Sequence, residues 1–235
     1  MCTRFVLLQE HLREILQRLG LGEDTGYVTR YNIAPSTRVP AVRATPQRAS
    51  AVLRWGLVPS WAKEDVGFKL VNARAETLAE KPAFRDALKK RRCVIPASGF
   101  YEWKTVGQIK QPMLIRWRDE RPFCFAGLWE TWRAPDGMTL ESCAIVTTEP
   151  NDLMRPIHTR MPFMLTPEQC ALWLDASIVD SRQAIELLRP QRAEAMGATA
   201  VSRFVSNVRN EGPACLAPPA PDESPGDEPQ LSLGL

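Results

Sequence analysis

No CxxC pair occurs in the 235 residues, and the chain has only two histidines, His11 and His158. Without paired cysteines or clustered histidines, a zinc ribbon or finger is excluded. The sequence has no Gly-rich phosphate-binding loop and no constellation of metal ligands. Nucleotide hydrolysis and metallo-nuclease chemistry therefore lack their usual residues, and neither a cofactor nor a metal is expected. No run approaches the ~18 apolar residues that a bilayer span needs. The N-terminus MCTRFVLLQEH carries Arg4 and Glu10 where a signal peptide would be apolar. The chain reads as a cytoplasmic protein with no membrane contact, whose first residues persist in the mature form.

What is present suits one large globular domain: 44% hydrophobic and 24% charged residues over a length that buries well over half of the unfolded surface. Such a chain folds without disulfides. Of its six cysteines (2, 93, 124, 143, 170 and 215), Cys93, Cys124, Cys143 and Cys170 lie in apolar runs such as FCFAGLW and SCAIVTT. There a free cysteine behaves as a small buried hydrophobe, which fits a reducing compartment.

Leu8, Leu12, Ile15, Leu16 and Leu19 recur at helical spacing before Gly20, which predicts an amphipathic helix over 9–19 with His11 on its polar side. Pro35, Pro40, Pro46 and Pro59 break residues 30–62 into short extended pieces. Helices are also predicted over 82–91, 167–175 and 180–189. RCVIPASGFYEWK, PMLIRW, PFCFAGLWETW and ESCAIVTT read as strands of a largely antiparallel sheet. Strands in succession with helices on their flanks give an α+β class, not a doubly wound sheet.

Residues 213–235 differ from the rest: six prolines, the acids Asp222, Glu223, Asp227 and Glu228, and no lysine or arginine. This composition predicts a disordered tail. It also divides the charge, because the 30 basic and 23 acidic side chains before residue 213 give the body +7, against +3 for the whole chain.

Cys2 carries the most chemistry. Cysteine is small enough at position 2 for the initiator methionine to be removed, leaving a terminal cysteine with two nucleophiles on adjacent carbons. An α-amine of pKa ~7.7–8.0 is roughly one-third neutral at pH 7.5, against about one part in a thousand for lysine. Such an amine forms a Schiff base with an aldehyde, and the neighbouring thiol can close a thiazolidine ring on the imine carbon. On this residue alone, an accidental Cys2 stays open.

Further polar residues cluster in short blocks: Asn32 in YNIAPS, Asn72, Arg74 and Glu76 in VNARAET, Glu102 in SGFYEW, and His158 with Arg160 in PIHTRMP. Each block has a structural alternative, such as an outward strand residue for Glu102 or turn residues for the asparagines. Taken together, MC-x-R-F, RYNIAPS, WGLVPSWA, NARAET, KPAFR, RRCVIPASGFYEW, FAGLWE and IHTRMP resemble, in order and spacing, the SRAP family of SOS-response-associated peptidases or abasic-site processing proteins. The resemblance spans residues 2–212. Thr3 departs from the glycine common there, and the tail lies outside it.

The resemblance implies a single α+β domain with a twisted, barrel-like β core, and a monomer that crosslinks to abasic sites in single-stranded DNA through Cys2. It implies hydrogen bonding by Asn72 in the crosslink pocket, acid/base work by Glu102 and assistance to sugar-ring opening by His158. It also implies autoproteolytic removal of Met1 and weak β-elimination at the lesion. Arg4, Arg74 and Arg160 would contact phosphates, Asn32 and Pro35 would line the same channel, and Trp61 and Trp103 would stack on bases. Such a protein would be nucleoid-associated. Separately, Gln230–Leu235 resemble the peptide that binds the bacterial sliding clamp, a possible partner. Two alternatives remain at this point: a cysteine peptidase of the N-terminal nucleophile kind acting on other proteins, and a non-enzymatic single-strand binder.

Overall fold

The computed structural model describes residues 2–22, 26–44, 48–188 and 190–221. The candidate clamp peptide 230–235 lies outside them. The described chain runs β1 (Phe5–Leu7), α1 (Gln9–Arg18), β2 (Arg30–Ile33), β3 (Arg38–Arg43), β4 (Ala49–Trp55) and β5 (Asn72–Arg74). It continues through α2 (Arg85–Lys90), β6 (Arg92–Ala97), β7 (Gly99–Val106), β8 (Ile109–Trp117), β9 (Phe123–Arg133) and β10 (Thr139–Thr148). Last come β11 (Met161–Pro162), β12 (Met164–Leu165), α3 (Pro167–Trp173), α4 (Ser181–Glu186) and β13 (Met196–Ala200).

The strands β10, β4, β3, β6 and β9 pair in that order, and β9 pairs back onto β10, closing a five-stranded barrel. A second sheet, β13-β8-β7-β1-β2, packs beside it. Among the described residues, only the pairings of β10 with β4 and β5 are parallel. The fold is therefore α+β with a mainly antiparallel barrel core, as the sequence and its resemblance led one to expect.

Aromatic side chains lock the two sheets together. Phe5 of β1 meets Trp55 of β4 and Phe125 of β9 edge-on at 5.4 and 5.5 Å, and Phe100 of β7 reaches Phe125 at 6.1 Å. Large apolar area combined with edge-to-face geometry makes Phe5 a strong anchor. Because Phe5 stands three residues from Cys2, the anchor fixes where the N-terminus leaves the core.

The helices follow their predicted positions with ends trimmed by a few residues. Helix α1 buries Leu12, Ile15 and Leu16 and stops before Gly20, whose φ of +74° a residue with a Cβ rarely adopts. Helix α3 opens on a Thr166–Gln169 capping box with Pro167 in the first turn.

The boundary of the tail needs correction. Disorder was expected from residue 213, yet Pro213–Leu216 form a short 3-10 turn. Its Cys215 is buried with Val6, Tyr101, Leu114, Val201 and Val205, and Ser202 N–H donates to the Ala217 carbonyl at 2.8 Å. Two apolar residues, Cys215 and Leu216, outweigh the surrounding prolines because a ready groove accepts them.

Strand β10 sets up the site. Its first part pairs with β9 and β4, but from Ile145 to Thr148 it emerges between β5 and β11. Ile145 lies opposite Asn72, and Thr147 lies opposite both Arg74 and Pro162. The register thereby brings NARAET and the end of IHTRMP to one rim of the barrel. No helix among the described residues is long and apolar enough to cross a membrane.

Candidate active site

At this rim β1 and β7 run antiparallel, Phe5 opposite Phe100, and the Tyr101 N–H donates to the Arg4 carbonyl at 3.0 Å. Continuing that register lays Cys2 and Thr3 beside Glu102. From the β10 side, Asn72 Nδ2 donates to the Cys2 carbonyl at 2.8 Å. Asn72 Oδ1 is buried and accepts no hydrogen bond from the described residues. A buried amide oxygen without a donor is costly, so a hydroxyl or amine entering here would meet a waiting acceptor.

Cys2 is fully buried. Burial first, then the nearby Glu102 carboxylate, push its thiol well above the ordinary value. The thiol is accordingly held protonated, the less nucleophilic form. Glu102 itself is 3% exposed, and burial raises its pKa from 4.5 to about 7, with the Trp103 backbone N–H pulling the other way. A carboxyl balanced near neutrality can both give and take a proton.

His158 comes from the loop between β10 and β11. The Arg160 backbone N–H lies 3.0 Å from His158 Nδ1 and can only donate, so Nδ1 is the unprotonated nitrogen and Nε2 carries the hydrogen. The Arg160 carbonyl, 3.2 Å from Nδ1, is then a neighbour rather than a partner. Burial lowers the pKa of His158, which keeps the ring neutral at pH 7. Among the described residues, no group of three or more His, Cys, Asp or Glu side chains could hold a metal ion.

The residues expected along a DNA channel divide sharply. Arg4 is buried: its Nη1 donates to Asn32 Oδ1 at 2.7 Å and to the Val205 carbonyl at 2.9 Å, and its guanidinium lies 5.6 Å from the Trp103 ring centroid. Asn32 is likewise engaged internally, donating to the carbonyls of Val205, Asn207 and Asn210. Arg4 and Asn32 together thus clamp the 205–210 segment from within the protein. Trp103 is half-buried and donates to Ser206 Oγ at 3.0 Å. Arg160 forms a two-pronged pair with Glu76 at 2.9 Å and donates to the Thr147 carbonyl, so it too has internal partners.

Arg74, Trp61 and Pro35 are placed differently. Arg74 is exposed, and no ion pair or side-chain hydrogen bond among the described residues engages its guanidinium. Pro35 is half-exposed in the turn whose next residue, Ser36, has φ +68°. Trp61 is 63% exposed on the loop 56–67. That loop is pinned at its neck, where Gly56, at φ +129°, approaches Gly67 so closely that a Cβ would fall 2.8 Å from the Gly67 carbonyl oxygen. Arg54 pairs with Asp65 across the same neck, and Trp132 Nε1 holds the Ala62 carbonyl at 2.7 Å. The tryptophan is thus held out on a fixed base.

The sequence reading missed Phe68, 66% exposed beside Trp61's loop with the Lys69 ammonium 5.2 Å from its ring centroid. An apolar ring next to lysine in VGFKL gave little signal without knowledge of the neck. It also left Glu76 without a role.

Comparison with known proteins follows this geometry. The family model for SOS response associated peptidase (SRAP) matches residues 1–208. Abasic site processing protein YoqW of Bacillus subtilis is 42% identical over 222 residues, covering 92% of this chain and 99% of that protein. Abasic site processing protein HMCES of Gallus gallus is 34% identical, covering 82% of this chain and 67% of its own length. Among solved structures, a protein from Bacteroides thetaiotaomicron superimposes with a TM-score of 0.83 at 28% identity, covering 93% of this chain and all of that one. The barrel, the N-terminal cysteine at its rim and these matches together place the chain in the SRAP family.

Proposed function

We propose that this protein recognises abasic sites in single-stranded DNA and joins them covalently through Cys2 once Met1 is gone. The observation that carries the reading is the pairing of Asn72 with the Cys2 carbonyl beside the buried Glu102 carboxyl, with His158 on the loop that returns through β11 to the same rim. The curated relatives named as abasic site processing proteins support it.

The steps follow from the protonation states. Water hydrolyses the Met1–Cys2 bond, with Glu102 available to carry the proton to the new amine. His158, neutral with its hydrogen on Nε2, donates that hydrogen to the ring oxygen as the abasic sugar opens, and the C1 hydroxyl loses its proton to leave the aldehyde. The Cys2 amine adds to that carbon to give a carbinolamine. Glu102, half-protonated near pH 7, gives a proton to the departing hydroxyl, and water leaves to form the imine. The thiol, held protonated until then, adds its sulfur to the imine carbon while its proton passes to nitrogen. The product is a thiazolidine, and joining the terminal cysteine to the aldehyde releases one water. Ring closure withdraws the imine from β-elimination, so strand cleavage would be slight.

In this reading Arg74 meets the phosphate backbone, and Trp61 and Phe68 stack on bases at the rim. The internal pairs of Arg4 and Asn32 support the terminus from below. Burial of Cys2 disfavours the peptidase alternative, because an external peptide would have to displace the chain's own N-terminus. The test is incubation with single-stranded DNA carrying one abasic site, followed by a denaturing gel. Wild type should give a shifted band that survives denaturation and Cys2→Ala none; equal bands from both would remove Cys2 from the mechanism.

A further inference from the structure

Two of the reacting groups, far apart in sequence, are tied together by one short segment. Asn72, the first residue of β5, holds the Cys2 carbonyl. The 3-10 turn Ala75–Thr77 follows β5 directly and contains Glu76. Glu76 Oε1 accepts from Arg160 Nη1 and Oε2 from Arg160 Nη2, both at 2.9 Å, in the parallel fork geometry that suits a carboxylate and a guanidinium. Arg160 Nη2 also donates to the Thr147 carbonyl at 2.8 Å, and the backbone N–H of the same arginine donates to His158 Nδ1.

We infer that Glu76 is a positioning residue: by gripping Arg160 it fixes the orientation and tautomer of His158, and by sharing a segment with Asn72 it keeps His158 in register with Cys2. This role rests on the reading of Cys2 and His158 given above. The energy of the ion pair is not the point, since a pair whose carboxylate is 43% exposed contributes little to stability. Its value is geometric. Among the described residues Arg160 Nε is buried with no partner and Nη1 has Glu76 alone, so without Glu76 the guanidinium is held by Nη2 only, on the Thr147 carbonyl at 2.8 Å and more weakly on its hydroxyl at 3.4 Å. The peptide that presents the N–H to Nδ1 would then move with its side chain, and a neutral imidazole would exchange between its two tautomers. Glu76 also occupies Arg160 in the manner a phosphate would. Its loss therefore leaves DNA affinity intact while slowing chemistry, a split that general unfolding does not produce.

The experiment uses the full chain with Glu76→Gln and Glu76→Asp. Imidazole nitrogen NMR is decisive because the protein has two histidines and His11 serves as the internal reference. In wild type His158 should show one protonated and one unprotonated nitrogen; in Glu76→Gln the two signals should move toward each other while those of His11 stay fixed. The rate of adduct formation at saturating abasic DNA should fall about tenfold, with affinity for an intact single strand unchanged or tighter. Glu76→Asp, which keeps the charge but shortens the reach, should be intermediate in signals and rate. Unchanged His158 nitrogen signals in both variants overturn the proposal, as does a Glu76→Gln rate within about twofold of wild type. If wild type itself forms no Cys2-dependent adduct, the crosslinking reading falls, and the imidazole signals alone decide the positioning role.

Discussion

Two buried polar clusters of this molecule are built on opposite plans. Arg92, at the start of β6, is 2% exposed. Its Nε donates to the Trp173 carbonyl at 2.7 Å, Nη1 to the carbonyls of Leu88 and Ile178 at 2.9 and 2.8 Å, and Nη2 to the Asp175 carbonyl. The same guanidinium lies 5.6 Å from the Trp173 ring centroid. It ties the end of α2 and the connection between α3 and α4 to the barrel. At the rim, by contrast, Asn72 Oδ1 has no donor, Glu102 is held near pH 7 and Cys2 is an inert thiol. A buried guanidinium with a protein partner on each nitrogen suits architecture, whereas an amide oxygen left without a donor among the described residues, beside a carboxyl poised near neutrality, suits a site that receives a reactant.

The largest test of this contrast removes the architectural charge. Arg92→Met keeps the length of the side chain but strips donors from four carbonyls, and should lower unfolding free energy by about 4 kcal/mol in urea titrations. The adduct-forming rate of the folded protein should match wild type, since none of the rim groups is touched. A loss below about 1 kcal/mol would show that Arg92 is not the structural counterpart described.

Glu102 gives the opposite sign. Its folded pKa of about 7 exceeds the ordinary 4.5 because burial opposes ionisation. Below 4.5 both folded and unfolded chains keep the proton. Between 4.5 and 7 the unfolded chain releases it and the folded chain does not, so the stability contribution falls as pH rises through that window. Glu102→Gln is neutral throughout. It should match wild type near pH 4 and be more stable by about 3 kcal/mol at pH 8, while adduct formation drops about a hundredfold. A variant less stable than wild type at pH 8 would mean that the carboxylate's interactions outweigh the cost of burying it.

Much of this was legible in the sequence, for a physical reason. Strands and helices followed from periodicity because each element has a single apolar face, as in Leu12, Ile15 and Leu16 of α1. The candidate residues stood out because cysteine at position 2, and polar residues within apolar motifs, are unusual in themselves. What sequence could not supply was the direction of each polar side chain. Arg4, Arg74 and Arg160 look alike in a string of letters, yet one is buried on Asn32, one is exposed and one is paired with Glu76. Those outcomes depend on the register of β1, β5 and β11, which is fixed by long-range pairing. The ordered Cys215 escaped for the same reason, since the groove that receives it is assembled from β1, β7, β8 and residues 201–205.

The smallest effect probes the outer edge of the rim. Trp61 is exposed, but the Gly56–Gly67 approach and the Arg54–Asp65 pair make its loop a rigid mount. Removing an exposed ring from a rigid mount leaves the fold unaffected, so Trp61→Ala should unfold at the wild-type urea midpoint. If the ring stacks on a base, affinity for single-stranded DNA should weaken by about 1 kcal/mol, roughly fivefold, with the crosslinking rate at saturation unchanged. An equal loss in the saturated rate would instead place Trp61 within the reacting groups. Unchanged affinity would move the DNA path away from this loop and leave Arg74, on the β5 side of the rim, to define it.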